Sequence, residues 1–209
     1  KYKVMIVEDQ TMPRELFELR IQTSEHFEVA LSIDNAALAD VYCLRFPVDL
    51  ILMDVVTRNG ESGLDAAERI KRAFPQIKII IVTSMPECSY LSRAREIGVE
   101  SFWYKEEQRE SLLDVMERTM AGESVYPDAT PELQLGLASS YKFTERELEV
   151  LREMTGGDTN QEIAERLHMS VATVKTHILN MLEKTGFRNR TELAVRARES
   201  GLVILNRKN

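Results

Sequence analysis

Val48-Asp49-Leu50-Ile51-Leu52-Met53-Asp54 is the stretch that decides the fold. An apolar run ending on a carboxylate reads as a strand buried on both faces of a parallel sheet. Its acid then stands at the C-terminal edge, where open α/β sheets keep their chemistry. Two other stretches are built alike: Tyr2-Lys3-Val4-Met5-Ile6-Val7 ends in Glu8-Asp9, and Ile77-Lys78-Ile79-Ile80-Ile81-Val82 ends in Thr83. If these strands are parallel neighbours, three acids and a hydroxyl converge at one edge.

Outward from that stretch, residues 2–122 alternate apolar strand with amphipathic helix. Strands are expected at 2–7, 27–33, 48–53, 77–82 and 99–104, and helices at 12–23, 35–45, 62–73, 86–97 and 107–121. Alternation with short connections predicts a five-stranded, doubly wound parallel sheet with helices on both faces. Pro75-Gln76 stops the third helix before the fourth strand, and Gly98 stops the next before the fifth. This α/β domain is expected to occupy 1–122.

Residues 123–140 read as a linker, rich in turn formers from Ser124 to Pro131, with a loosely packed short helix at 132–140. Residues 141–209 read as an all-α domain of four short helices. Thr144-Glu145-Arg146-Glu147 and Thr159-Asn160-Gln161-Glu162 have the form of capping boxes, and Ser170 and Thr191 suit two further caps.

A hydrophobic content of 44% with 29% charged residues describes folded domains without a membrane-spanning run. No signal segment is expected from the opening strand pattern, and Lys1 is not expected to be the biological start. Cys43 and Cys88 are expected to be reduced packing residues, consistent with a cytoplasmic protein. The net charge of −7 is uneven: residues 1–140 carry −9 and residues 141–209 carry +2. That asymmetry suits different partners for the two parts, although two solvated surfaces would show it too.

The clustered acids need an explanation. Two like charges at about 4 Å repel by roughly 4 kcal/mol at an effective dielectric near 20. A hard divalent cation offsets this, and Mg²⁺ commonly combines one or two carboxylates with a phosphate. Thr83 adds a hydroxyl, and Lys105, after the fifth strand, adds a compact positive charge. An Asp so surrounded is equipped to attack a phosphoryl group, the cation and Lys105 neutralising the transferring oxygens. Taken singly, each of these residues suits a helix cap or a surface position; together they form a pattern.

Glu8-Asp9, Asp54, Thr83 and Lys105 resemble, in order and spacing, the receiver domain of bacterial two-component response regulators, whose fold is flavodoxin-like. The resemblance implies that Asp54 accepts a phosphoryl group from a sensor histidine kinase and that Glu8, Asp9, Asp54 and the Val56 backbone carbonyl hold Mg²⁺. It implies that Thr83 and Lys105 contact the phosphoryl oxygens. Phe102, three residues before Lys105, matches a switch position that turns inward on phosphorylation. The chain departs from the family over Val55–Gly63, which lacks the usual Met-Pro and is one residue longer. Glu106 replaces a Pro after Lys105, so no cis bond is expected there. The apolar Val56 and Met85 flank the path of an attacking water and predict a phosphorylated lifetime of many minutes.

Residues 159–184 read as helix, turn, helix. Val174, Ile178, Met181 and Leu182 are expected to face a core. Thr173, Thr176, Leu179 and Asn180, flanked by Lys175, then face outward, as on a helix that enters a DNA major groove. The motifs Phe143–Leu151, Thr159–Ala164, Thr173–His177 and Lys184-Thr185-Gly186, with Arg190 and Ala194, resemble the LuxR-type DNA-binding domain. With the receiver, this is the NarL/FixJ class of transcription regulators, not an enzyme class.

The resemblance implies that Lys175, Thr176 and Leu179 contact bases, with Asn180 a further candidate for an adenine edge. Asn160, Ser170, Thr173 and Lys184 are implied to approach phosphates of double-stranded promoter DNA. A homodimer is expected when the chain is phosphorylated or DNA-bound, Leu193 and Val195 belonging either to its seam or to the core. RNA polymerase is a further partner of such regulators.

Rival readings remain at this point: a phosphatase on a similar sheet, a helical part that binds protein, and a DNA-binding regulator that works without phosphorylation. The phosphatase lacks its second Asp, since Val56 stands two residues after Asp54, and no Gly-rich phosphate loop follows the first strand.

Overall fold

Leu50–Asp54 (β3) is the middle strand of a five-stranded sheet, flanked by Tyr2–Val7 (β1) and Lys78–Thr83 (β4), with Phe27–Ile33 (β2) and Ser101–Tyr104 (β5) at the edges. Every neighbouring pair is parallel. The computed structural model describes residues 1–58, 61–84, 87, 89–105, 111–128 and 131–203. Contacts divide these into two units, the first holding 1–84 and 90–128, the second 131–203 with Glu87 and Ser89.

Burial explains the apolar runs. All five residues of β3 are buried, as are five of six in β4. Val4, Ile6, Leu50, Leu52, Ile80, Val82 and Trp103 share a core with Phe17 and Ile21 of α1 (Thr11–Gln22) and Leu112, Val115 and Met116 of α5 (Leu112–Met120). Gly63–Ala73 (α3) lies against β3 and β4, with Ala39–Arg45 (α2) beside it. Ser89–Ile97 (α4) buries Tyr90 and Ala94.

Three details differ from expectation. The helix at 35–45 is split: Asn35 accepts from Ala37 N and starts a 3-10 turn over Ala36–Leu38, and α2 follows. The fifth helix begins only at Leu112, capped by Ser111; residues 106–110, including Glu106, lie outside the described residues. The stretch after Asp54 forms a small antiparallel hairpin pairing Val56 with Ser62 and Thr57 with Glu61. Its anchor is the buried Thr57 hydroxyl, which accepts from Ala36 N at 2.9 Å and donates to Glu61 O at 3.2 Å. Cys43 is a partly buried free thiol that burial, then Asp40, pushes up to about 11; Cys88 lies outside the described residues.

The second unit has four α-helices among its described residues: α6 (Glu145–Thr155), α7 (Asn160–Arg166), α8 (Val171–Thr185) and α9 (Arg190–Ser200). Both capping boxes form, and Ser170 caps α8. Asn189, not Thr191, caps α9, its side chain accepting from Glu192 N. The helix expected at 132–140 is corrected to a hairpin pairing Gln134–Leu135 with Ala138–Ser139. Gly136, at φ 61, makes the tight turn, and a Cβ there would meet Thr185 O at 2.2 Å. Leu135 and Ala138 join the core of Leu148, Leu151, Ile163, Val174, Ile178 and Met181, so the segment is integral to the domain.

Candidate functional site

Parallel register brings the strand ends level. Val7 pairs with Met53 and Asp54 with Val82, so Glu8 follows its strand at the height of Asp54. Oxygen atoms of Glu8, Asp9 and Asp54 lie within 4.8 Å of one another. Glu8 and Asp54 are buried, and Asp9 is partly exposed at the mouth. Lys105 Nζ donates to Asp54 Oδ2 at 2.8 Å and to Glu8 Oε2 at 2.5 Å. The other Asp54 oxygen accepts from Val55 N at 2.7 Å.

This arrangement sets the charges. Burial pushes Asp54 up to about 7; Lys105 pulls it down, and Glu8 pushes it up again. For Lys105, burial works downward, but Asp54 and Glu8 outweigh it and hold the ammonium above the usual lysine range. Three oxygen-bearing acids around one point, two of them sharing a single ammonium, are a donor set that fits a hard divalent cation.

Other expected residues fall around this cluster. Thr83 is fully buried at the end of β4, and Lys105 N donates to its carbonyl at 2.9 Å. Val56 stands two residues past Asp54 in the small hairpin, and Met85 lies outside the described residues. Phe102 is already buried, its ring 5.0 Å from Tyr104 and 6.2 Å from Tyr126.

Two contributors were not singled out from sequence. Gly63 donates its N–H to Val55 O at 2.8 Å, and a Cβ there would lie 1.8 Å from Asp54 O, so α3 packs this closely only on glycine. The buried Tyr90 hydroxyl has no hydrogen-bond partner among the described residues; burial, then the charge of Asp54, push its pKa up and oppose its ionisation. Gly63 is legible as the glycine opening a helix. Nothing local marks Tyr90, whose position depends on how α4 packs.

On α8, Val174, Ile178 and Met181 are buried and Leu182 is partly so, while Thr173, Lys175, Thr176, Leu179 and Asn180 are exposed. Leu179 is 60% exposed, which a core role does not explain. His168, at φ 53, makes the turn before α8. Ser170 and Thr173 share a cap, with hydroxyls 2.8 Å apart, and Asn160 accepts from Arg190 at 3.0 Å. Lys184 donates to both oxygens of Glu147, at 2.8 and 2.7 Å, and to Lys142 O at 2.9 Å. Arg190, which also donates to Asp158 O at 2.8 Å, positions Asn160. Of the candidate seam residues, Leu193 is core and Val195 is 49% exposed.

A parallel sheet that gathers two buried acids, a third at the mouth and a bridging lysine, joined to a helix-turn-helix unit, defines a receiver with a regulatory output domain. Residues 4–117 match the response regulator receiver domain, and residues 141–197 match the bacterial regulatory proteins of the luxR family. The chain belongs to the response regulators with a LuxR-type domain.

Among its relatives are the response regulator protein VraR of Staphylococcus aureus (strain Mu3) and that of Staphylococcus epidermidis (strain RP62A). Each is 32% identical over 96% of this chain and 98% of the relative. A structure of two RcsB dimers bound to two parallel DNAs matches at 19% identity and TM-score 0.61, over 95% of this chain and 98% of that one. Salmonella enterica serovar Typhimurium RcsB bound to promoter rprA with phosphomimetic BeF3⁻ matches at 20% and 0.62, over 94% and 98%. These structures share the fold. No helix among the described residues is long and apolar enough to cross a membrane.

Proposed function

We propose that this chain is a cytoplasmic transcription regulator switched by phosphorylation of Asp54. The observation that carries the reading is the convergence of Glu8, Asp9 and Asp54 oxygens within 4.8 Å with Lys105 bonded to two of them. An Asp54 oxygen attacks the phosphorus of a sensor kinase's phosphohistidine. The P–N bond breaks, its electron pair returns to the imidazole, and an acyl phosphate forms on Asp54. Lys105 and the Thr83 hydroxyl then hold phosphoryl oxygens. Mg²⁺, held by Glu8, Asp9, Asp54 and the Val56 carbonyl, would supply positive charge that keeps Asp54 ionised. Val56 beside the site slows attack by water, giving the acyl phosphate a lifetime of many minutes. Phe102 reads the change.

The output is sequence-specific binding to double-stranded promoter DNA as a homodimer, with contact to RNA polymerase. Lys175, Thr176, Leu179 and Asn180 form one exposed face of α8, suited to base edges in a major groove. Leu179 meets a thymine methyl. Asn160, Ser170, Thr173 and Lys184 flank that face towards phosphates, Lys184 with part of its charge already taken by Glu147. RcsB, of like fold, has structures in complex with DNA, which supports DNA as the partner.

The test is incubation of the full chain with Mg²⁺ and acetyl phosphate, followed by intact mass and DNA selection, with Asp54→Ala as control. Mass gain at Asp54 with tighter, dimeric DNA binding is expected. DNA binding that is the same with and without the phosphoryl group would support the regulator that works without phosphorylation. No mass gain in the folded chain would refute the switch.

A further inference from the structure

Past α5 the chain stays on the first unit for several residues, along the outer edge of β5. The Ser124 hydroxyl donates to Glu100 O at 2.8 Å, and Val125 N donates to Ser101 Oγ at 3.1 Å. Phe102 N donates to Val125 O at 2.8 Å, and the Tyr126 hydroxyl donates to Val99 O at 2.8 Å. Contacts on four successive residues, 99–102, make this a strap that covers an otherwise open sheet edge. Pro127, next in sequence, disfavours a helical Tyr126 and so favours the extended path.

Tyr126 also closes over the side chains. Its ring centroid lies 6.2 Å from that of Phe102, and the Arg95 guanidinium of α4 sits 4.1 Å from the Tyr126 centroid. Phe102 and Tyr104 share a face of β5 by alternation, and their rings are 5.0 Å apart. Beside them, Phe102 pairs with Ile81 and Tyr104 with Thr83. The strap therefore rests one strand away from Thr83, and the aromatic expected to report the state of Asp54 lies beneath it.

The strap grips three parts at once: α4 through Arg95, the loop after α4 through Val99 and Glu100, and β5 through Ser101 and Phe102. A shift of α4 against β5, or a turn of the Phe102 ring, cannot keep all these contacts. We propose that residues 124–126 are docked on β5 in the resting chain and loosen when Asp54 carries a phosphoryl group, so that the connection to the second unit lengthens. Three freed residues add about 10 Å of reach at the extended rise per residue. The inference rests on Asp54 being the phospho-acceptor. It adds that the message leaves through the Tyr126 strap.

The Phe102 amide is the reporter, because its hydrogen bond runs to the strap. Amide exchange is measured on the full chain with and without Mg²⁺ and acetyl phosphate, and intact mass gives the phosphorylated fraction. Expected is at least tenfold faster exchange at Phe102 on phosphorylation, with Ile80 in β4 unchanged. Tyr126→Ala should speed Phe102 exchange similarly without donor, and Tyr126→Phe, lacking only the bond to Val99, should do so partly. By reciprocity, Tyr126→Ala should bind beryllofluoride more tightly, by the factor that phosphorylation loosens the strap.

Full mass gain with unchanged or slower Phe102 exchange overturns the strap and leaves the Asp54 reading standing. Unchanged beryllofluoride affinity in a folded Tyr126→Ala chain overturns it as well. Absence of mass gain overturns the Asp54 reading, and the strap's regulation with it.

Discussion

Replacing Asp54 by Asn should stabilise the metal-free chain at neutral pH, and the gain should vanish towards acid. Burial raises Asp54 from 3.8 to about 7, so the folded chain binds this proton more tightly than the unfolded chain does. Below pH 3.8 the group is protonated in both states and favours neither. As pH rises from there, the unfolded chain gains by ionising and the folded state loses relative stability, until the loss levels off above pH 7. At about 1.4 kcal/mol per tenfold, the full penalty is about 4 kcal/mol. About 1 to 2 kcal/mol of it has developed by pH 5 and nearly all by pH 7.5. Asparagine never ionises, so its advantage should grow by about 2 to 3 kcal/mol between those two values.

The assay is urea unfolding followed by Trp103 fluorescence. Trp103 is the chain's one tryptophan, 6% exposed in the core of the first unit. At a slope of about 1 to 3 kcal/mol per molar, the difference is a midpoint shift of about 1 M or more. Mg²⁺ should narrow the gap, stabilising the wild-type chain by about 2.7 kcal/mol at a hundred times its dissociation constant, and Asp54→Asn much less. A pH-independent difference between the two chains in chelator, or an Asp54→Asn chain less stable at pH 7.5, would refute the account of the charges.

Gly63→Ala should cost about 3 kcal/mol by the same fluorescence assay, because its Cβ would sit 1.8 Å from Asp54 O and α3 would have to withdraw. Lys184→Met should lower the stability of the second unit by about 3 kcal/mol at pH 7, seen by calorimetry of the full chain, since the buried Glu147 carboxylate loses its ammonium. Burial works to raise Glu147, but Lys184 and Thr144 N hold it below 4.5; this stability exists above 4.5 and is lost as pH falls, so the variant's deficit should shrink in acid. His168→Gly should raise the same transition by about 1 kcal/mol, relieving a left-handed residue at φ 53.

The sheet was legible because strands buried on both faces need apolar runs, and β3 from Leu50 to Met53 and β4 from Ile79 to Val82 are such runs. The acidic cluster was legible for a related reason: a residue that follows such a run stands at the sheet edge, so Glu8, Asp54 and Thr83 are placed once their strands are parallel. What sequence concealed depends on partners far along the chain. The hairpin after Asp54 is held by Thr57 bonding to Ala36, 21 residues away, and no local pattern marks that pair. Lys184 looked free for a phosphate because Glu147 lies 37 residues upstream, where it also serves a capping box.

The segments between the units show how such partners can still leave a trace. Turn formers made residues 123–140 read as one linker, yet four of its apolar residues have a destination, while Leu137 stays 83% exposed. Val125 and Tyr126 close on β5, and Leu135 and Ala138 enter the second core. An aromatic in a free tether would gain nothing from burial, whereas a docked one covers apolar surface and can bond through its hydroxyl. Tyr126 does both, lying on Phe102 and bonding to Val99. A tyrosine before a proline in an otherwise polar connection is therefore a physical signal of a docked strap, and its placement over Phe102 ties that strap to the part of the sheet proposed to sense Asp54.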